Sequence, residues 1–210
     1  NLLKRLESSV NSFQLTLTRI KELINETIEA INRFDKYGSD DISMYEASKD
    51  DWDIDDENTE FFTVGKKVKI ELADMDWRSW RKELQQDAEV LELLTLMVAD
   101  ITPKHDSKLQ ELLHLLDEKI TNPINTNNKK VLVFSAFSDT AEYLYDHVSK
   151  YIKDKYGLNT AVITGTIDGR TTIKGFQATL NNVLTCFSPV SKDRDVLMPN
   201  SRNEIDILIA

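Results

Sequence analysis

Three short apolar runs rich in β-branched residues place the tightest constraint on how this 210-residue chain can fold. They are Val131–Phe134, Thr160–Thr164 and Ile205–Ala210, each of strand length and each bounded by polar or turn-forming residues. Between the first two, Ser138 can cap a helix that turns Ala141, Leu144, Tyr145, Val148 and Ile152 to one side, and Gly157 can close it. Between the second and third, "GTIDGR" reads as a turn, Thr171 to about Leu184 as a helix, and Pro189 to Asn203 as a polar loop. Strand, helix, strand, helix, strand at this spacing predicts an α/β unit: a parallel sheet with helices on both faces and right-handed crossovers. Ile205–Ala210 has the composition of its central strand.

A further helix is expected just before the sheet, in "KHDSKLQELLHLLDEKI". Asp106 or Ser107 would cap it, with Leu109, Leu112, Leu113, Leu116 and Ile120 facing inward. His114 lies beside that face and reads as structural, because no second ligand is spaced to help it. This unit runs over 104–210. Ahead of it, 1–103 reads as a long helical extension with an acidic loop at about 35–60.

In the extension, apolar residues recur every seven positions. Leu3, Val10, Leu17, Ile24 and Ile31 form one row, and Leu6, Phe13, Ile20, Thr27 and Phe34 the other, which predicts one long helix. Gln14, Thr16, Leu23 and Ile28 flank the seam where a free coiled coil would carry complementary charges, so a helix packed in a hairpin or globular body is favoured over a dimerising one. A second long helix starts near Asp76, with rows Trp77, Leu84, Leu91, Val98 and Trp80, Leu94, Ile101, and ends at Pro103. The matching periods predict that the two helices pack together. Between them, residues 35–60 carry eleven acidic and two basic residues and so account for −9 of the net charge of −10. The remainder is nearly neutral, so total charge says little about a partner. "DWDIDDENTEFF" imitates a calcium loop at Asp51, Asp53 and Asp55, but Asp56 stands where the turn glycine belongs and Phe62 where the bidentate Glu belongs. Alternation at Val68, Ile70 and Leu72 allows a short strand.

The chemistry is mostly defined by what the chain lacks. No G-x-x-x-x-G-K-[ST] or G-x-G-x-x-G occurs, so neither standard loop for nucleotide phosphates is present. There is no H-E-x-x-H, paired C-x-x-C or G-x-S-x-G, and His105, His114 and His147 show no metal-ligand spacing. The single Cys186 excludes an internal disulfide and reads as a buried small hydrophobe. No apolar run approaches the length that crosses a bilayer. "NLLKRLESSV" has neither an initiator Met nor a signal pattern, so the chain reads as a cytoplasmic piece of a longer protein. What remains are the strand ends: Ser135 to Ser138 after the first, and Thr164, Gly165 and Thr166 after the second. Hydroxyls and exposed amides at a helix start suit phosphate oxygens, and glycine permits close backbone approach. The alternative is that Ser138 is an N-cap and Gly165 a turn former.

"KVLVFSAFSDTAEYLYDHV", followed by "AVITGT" and "IDILIA", resembles the second RecA-like lobe of superfamily 2 helicases, most closely the Swi/Snf-type group of bacterial double-strand translocases. The strand and turn Val131–Ser138 are similar to motif IV, Thr164–Gly165 to the "TG" after the next strand, and Ile205–Ala210 to the start of motif V. "FSPVSKDRD", Phe187 to Asp195, resembles a loop ahead of motif V in a bacterial branch, and "LLKRLESSVNSFQLTLTRI" the helix that branch carries before its second lobe. The resemblance implies a partial RecA-like lobe from an ATP-dependent DNA helicase or translocase. The full protein would bind ATP and Mg²⁺ against a first RecA-like lobe of the same polypeptide and move on double-stranded DNA. Ser135, Thr164, Gly165 and Thr166 would lie near the phosphates of the tracked strand, independently of sequence. Motif VI and the first lobe are not in this chain, so no cofactor and no ATP hydrolysis are expected of it alone. Arg170, Arg194 and Arg202 precede motif V and read as surface or phosphate-facing residues, not fingers. The competing reading is a non-enzymatic module in which the heptad helices and acidic segment bind a protein partner.

Overall fold

The computed structural model describes residues 2–38, 72–165 and 169–210. The acidic segment from residue 39 on, the calcium-like stretch, the alternation at Val68 and Ile70 and the turn residues Thr166, Ile167 and Asp168 lie outside the described residues, while residues 35–37 end a helix, Val10–Tyr37, and do not form a loop. Leu72 opens a single 3-10 turn, Leu72–Asp74. The chain divides into two compact units, Asn1–Thr102 and Pro103–Ala210.

The first unit is helical, with α1 (Leu2–Ser8), α2 (Val10–Tyr37) and α3 (Trp77–Ala99). The single helix expected from Leu3 to Phe34 is interrupted at Ser9. Its backbone is extended, ψ 151°, and its hydroxyl accepts the Ser12 amide at 3.0 Å. The serine side chain supplies a local acceptor that competes with the helical ladder, so an unbroken apolar period does not guarantee an unbroken helix. α2 ends at Gly38 in the left-handed region, φ 70°, whose amide reaches the Phe34 carbonyl.

α2 and α3 run antiparallel, as three pairings along their length show. Gln14 Nε2 donates to the Val98 carbonyl at 2.5 Å, Lys21 bridges Glu92, and Arg81 donates to Asn32 and Asp35, each at 3.1 Å. Phe13, Leu17 and Leu91 form the buried centre, lined by Ile20, Ile24, Leu94 and Val98. The expected packing of the two heptad rows is therefore present. At the far end Trp77 meets Phe34 edge-on, with ring centroids 5.9 Å apart.

The second unit is α/β and mostly helical, around a small mixed four-stranded sheet. Its elements are α4 (Ser107–Thr121), β1 (Val131–Val133), α5 (Ser138–Tyr156), β2 (Thr160–Val162), β3 (Arg170–Thr171), α6 (Leu180–Phe187), α7 (Arg194–Leu197) and β4 (Ile207–Ile209). The strand order is β1-β4-β2-β3, and β4 pairs in parallel with both β1 and β2. The last apolar run is thus the central strand, as its composition predicts.

The expectation of an all-parallel sheet needs correction at β3, which runs antiparallel to β2. Only residues 163–169 join them, fewer than a parallel crossover requires. The helix expected from Thr171 to Leu184 begins at Leu180 instead, capped by Thr179. Thr171 and Thr172 join the sheet edge: Thr171 Oγ1 and the Thr172 amide both donate to the Thr160 carbonyl at 3.0 Å. Two β-branched residues in succession favour that extended backbone over the first turn of a helix.

Both faces of the sheet are covered. Val162, Ile207 and Ile209 pack with Leu109, Leu116 and Ile120 of α4 and Ala141, Tyr145, Val148 and Ile152 of α5. Ala161 and Leu208 turn the other way, to Val183 and Cys186 of α6. The period of two in β4 explains its continuous apolar run, because each face meets a helix. Cys186 is fully buried, as the sequence predicts, and burial raises its thiol pKa. β1 is an edge strand and departs from the expected continuous burial: Leu132 is 43% and Phe134 77% exposed.

α4 and α5 run side by side in the same direction. Near their starts Tyr143 donates to Asp106 at 2.9 Å, while Asp106 also caps α4 by accepting the Leu109 amide at 3.0 Å. Near their ends Tyr151, Tyr156 and Lys155 all donate to Asp117, at 2.6, 2.8 and 2.6 Å. Two aspartates of one helix therefore set its register against the other.

Candidate functional site

The carboxyl ends of the three parallel strands meet at one edge of the sheet. The Ser135 amide donates to the Ala210 carbonyl at 2.7 Å, the Ala210 amide to Val133 at 2.9 Å, and the Ile163 amide to Ile209 at 2.9 Å. These bonds bring the loop after β1 and the loop after β2 to either side of Ala210. Ser135, Thr164 and Gly165 thus share an edge although up to thirty residues separate them in sequence. Thr166 lies outside the described residues.

Each group has a distinct local commitment. The Ser135 hydroxyl donates to the Phe137 carbonyl at 2.9 Å and accepts the Phe137 amide at 3.2 Å, closing a tight serine turn. The Phe137 carbonyl also receives the Thr140 and Ala141 amides, both at 3.1 Å. Phe137 is the N-cap of α5 and gives no side-chain cap, so the expectation that Ser138 caps the helix is corrected: Ser138 is its first residue. The Ser135 side chain instead satisfies the amide of Phe137, the residue at the N-cap, and the Phe137 carbonyl takes the first amides of the helix. α5 also begins at this edge, bringing the positive end of its dipole there, while Asp139 in the first turn partly offsets it.

The Thr164 hydroxyl oxygen is buried and has no hydrogen-bond partner among the described residues. Gly165, beside it, is exposed. A buried hydroxyl without a partner is costly, of order 1–3 kcal/mol, and is the kind of group that a ligand or water can satisfy. Sequence reasoning named Thr164 without any signal that its hydroxyl would be unpaired, since pairing depends on the loops around it.

Two concave surfaces of this unit lie elsewhere: one is lined by Leu109, Leu113, His147 and Tyr151 between α4 and α5, the other by residues 198–203. Neither includes Ser135, Thr164 or Gly165. Among the described residues no group of three His, Cys, Asp or Glu side chains could hold a metal ion.

The three loop arginines differ from one another. Arg170 bridges Asp146 and lies over the Tyr145 ring at 4.6 Å. Arg194 has only 11% of its side chain exposed and donates to the Asn203 carbonyl at 3.0 Å, with Glu204 at 3.5 Å. It organises the loop between α6 and β4 and is not a surface residue, which corrects the sequence reading. Arg202 is 81% exposed and 3.6 Å from Asp195.

No protein-family description, curated protein or solved structure matches this chain. Among the described residues no helix is long and apolar enough to cross a membrane.

Proposed function

We propose that this chain is part of an ATP-dependent DNA helicase or translocase: an incomplete second RecA-like motor lobe that contacts a nucleic-acid backbone, preceded by a helical extension. The observation that carries the reading is the meeting of Ser135 with Thr164 and Gly165 on either side of Ala210, at the carboxyl edge of the parallel strands. Ligands of open α/β sheets bind beyond that edge. The resemblance of Val131–Ser138, Thr164–Gly165 and Ile205–Ala210 to motifs IV and V, in that order, supports the same assignment.

On this reading the groups at the edge suit phosphate. Thr164 can donate its unpaired hydroxyl, Gly165 lets a backbone oxygen approach closely, and the start of α5 adds a favourable dipole. Such contacts position a strand without reading its bases, so binding is independent of sequence and falls with salt.

On this reading the chain itself does not supply a nucleotide site. It has no phosphate-binding loop, and Arg170 and Arg194 are held by Asp146 and by the Asn203 carbonyl. ATP and Mg²⁺ belong, on this reading, to a longer polypeptide with a first lobe. The deciding experiment is DNA-stimulated ATP hydrolysis by that longer protein. Stimulation that is reduced by Ser135→Ala with Thr164→Ala supports the reading, and no hydrolysis with or without duplex DNA overturns it. For this chain, titration with a random-sequence DNA duplex at several salt concentrations tests the contact alone. Unchanged affinity and salt slope in the double variant remove these residues from it.

A further inference from the structure

α3 presents a second apolar face, turned away from α2. Val90, Leu93, Leu96 and Met97 are 57, 59, 61 and 68% exposed, and Ile101 follows just past the helix end at 37%. Val90, Leu93 and Met97 are spaced by three and four residues and so form a stripe along about two turns, with Leu96 widening it. The face toward α2 is a different set, Leu91, Leu94 and Val98. Single exposed apolar residues are ordinary on a protein surface, whereas a contiguous row of large ones marks an interaction site.

The charges around the stripe choose among occupants. From Glu83 to Ile101 the chain carries Glu83, Asp87, Glu89, Glu92 and Asp100 and no Lys or Arg. By helical phase, Glu83 and Asp87 continue the line of the stripe toward the helix start, while Glu89 and Asp100 flank it beside Leu93 and Leu96. Glu92, on the α2 side, is bridged by Lys21. A second copy of this stripe would bring acidic rims together, and an anionic lipid surface or a nucleic acid would be repelled by the same rim.

We infer that the outer face of α3 is a docking surface for an amphipathic helix of a protein partner, one with an apolar row flanked by Lys or Arg. Val90, Leu93 and Met97 receive the apolar row, the unbranched Met97 adapting to its shape, and Glu83, Asp87 and Glu89 pair with the basic flanks. This inference is independent of the nucleic-acid reading, because it concerns only the helical unit.

The test uses the whole 210-residue chain and, as probe, a labelled helical peptide of about 18 residues made of Leu and Lys, with Leu on one face. Saturable one-to-one binding is expected. Leu93→Glu with Met97→Glu should weaken it by about tenfold or more, although the added negative charge would strengthen a purely ionic attraction. Asp87→Lys with Glu89→Lys should weaken it and flatten its salt dependence. All four positions are exposed, and an unchanged far-ultraviolet dichroism and melting curve of each variant confirms that the fold is kept. Equal binding of a scrambled Leu/Lys peptide, or of a Leu/Glu peptide of the same apolar phase, overturns the inference. So does a self-associating chain that Leu93→Glu converts to monomer, since a second copy is then the occupant.

Discussion

Asp117 of α4 holds the ammonium of Lys155 of α5 at 2.6 Å, and the same carboxylate accepts the hydroxyls of Tyr151 and Tyr156. Burial opposes ionisation of Asp117, but the hydrogen bonds from Lys155, Tyr151 and Tyr156 outweigh it and hold the carboxyl below its ordinary value of 3.8. The sign follows from proton counting. Near and below pH 3.8 the unfolded chain protonates this group before the folded one does, so the stabilisation is complete above that pH and is lost as pH falls through the lower folded value. Asp117→Asn is expected to cost about 1–2 kcal/mol at neutral pH and to remove this part of the acid sensitivity. Urea midpoints at pH 7 and pH 3 check it. An equal acid loss in the variant would show that another group carries the linkage.

Two glycines should respond differently to the same added methyl group. Gly157 closes α5 at φ 68° with open space around a would-be Cβ, so Gly157→Ala should cost only the left-handed backbone penalty, about 1 kcal/mol. At Gly169 a Cβ would collide with the Ala178 carbonyl oxygen, and backbone would have to move. Gly169→Ala should therefore cost clearly more, about 2 kcal/mol or above. Denaturation of the two variants side by side decides it, and equal losses would refute the close approach of Gly169 to Ala178.

Arg194 fastens the loop from Ser188 to Glu204 through the Asn203 carbonyl. The preceding Asp193 sits at φ 48°, a region that costs a non-glycine residue about 1 kcal/mol and that the surrounding bonds must hold. Arg194→Ala should expose the loop to chymotrypsin near Leu197 and lower stability by about 1–2 kcal/mol. Arg194→Lys should not restore protection, because an ammonium lacks the planar fork. Full protection in the lysine variant would mean that charge alone suffices.

The limits of sequence reading lie where local chemistry competes with period. The rows through Phe13, Leu17 and Leu91 identify the helical hairpin, and the unbroken Ile205–Ala210 run identifies the central strand, because both signals report burial directly. Ser9 interrupts α1 and α2 through one hydroxyl, which no apolar pattern reveals. Thr171 and Thr172 lie in a stretch that scans as helix, yet the short connection from β2 forces them into an antiparallel edge. At the candidate site, Ser135, Thr164 and Gly165 are named by resemblance and residue chemistry. The pairing of Ser135 with Phe137 and the missing partner of Thr164 are tertiary facts. Arg194 reads as surface or phosphate-facing because it precedes motif V; that its side chain is instead 11% exposed and tied to the carbonyl of Asn203, nine residues on, is a tertiary fact.

Thr164 allows stability and function to be separated with one isosteric change. Its hydroxyl oxygen is buried without a partner among the described residues, so in the free chain it adds desolvation cost and no bond. Thr164→Val keeps the β-branched shape and removes the oxygen. The variant is expected to be as stable as the parent or more stable by up to about 1 kcal/mol, the reverse of the usual sign for a buried substitution. If Thr164 donates to a phosphate, the same variant should bind duplex DNA more weakly by several-fold, and Thr164→Ser, which restores the donor, should recover affinity. Denaturant midpoints and duplex titrations on the parent, Val and Ser forms give both readouts. A stabilised Val variant with undiminished DNA affinity would leave the hydroxyl without a role at this edge. A destabilised one would show that it bonds within the fold.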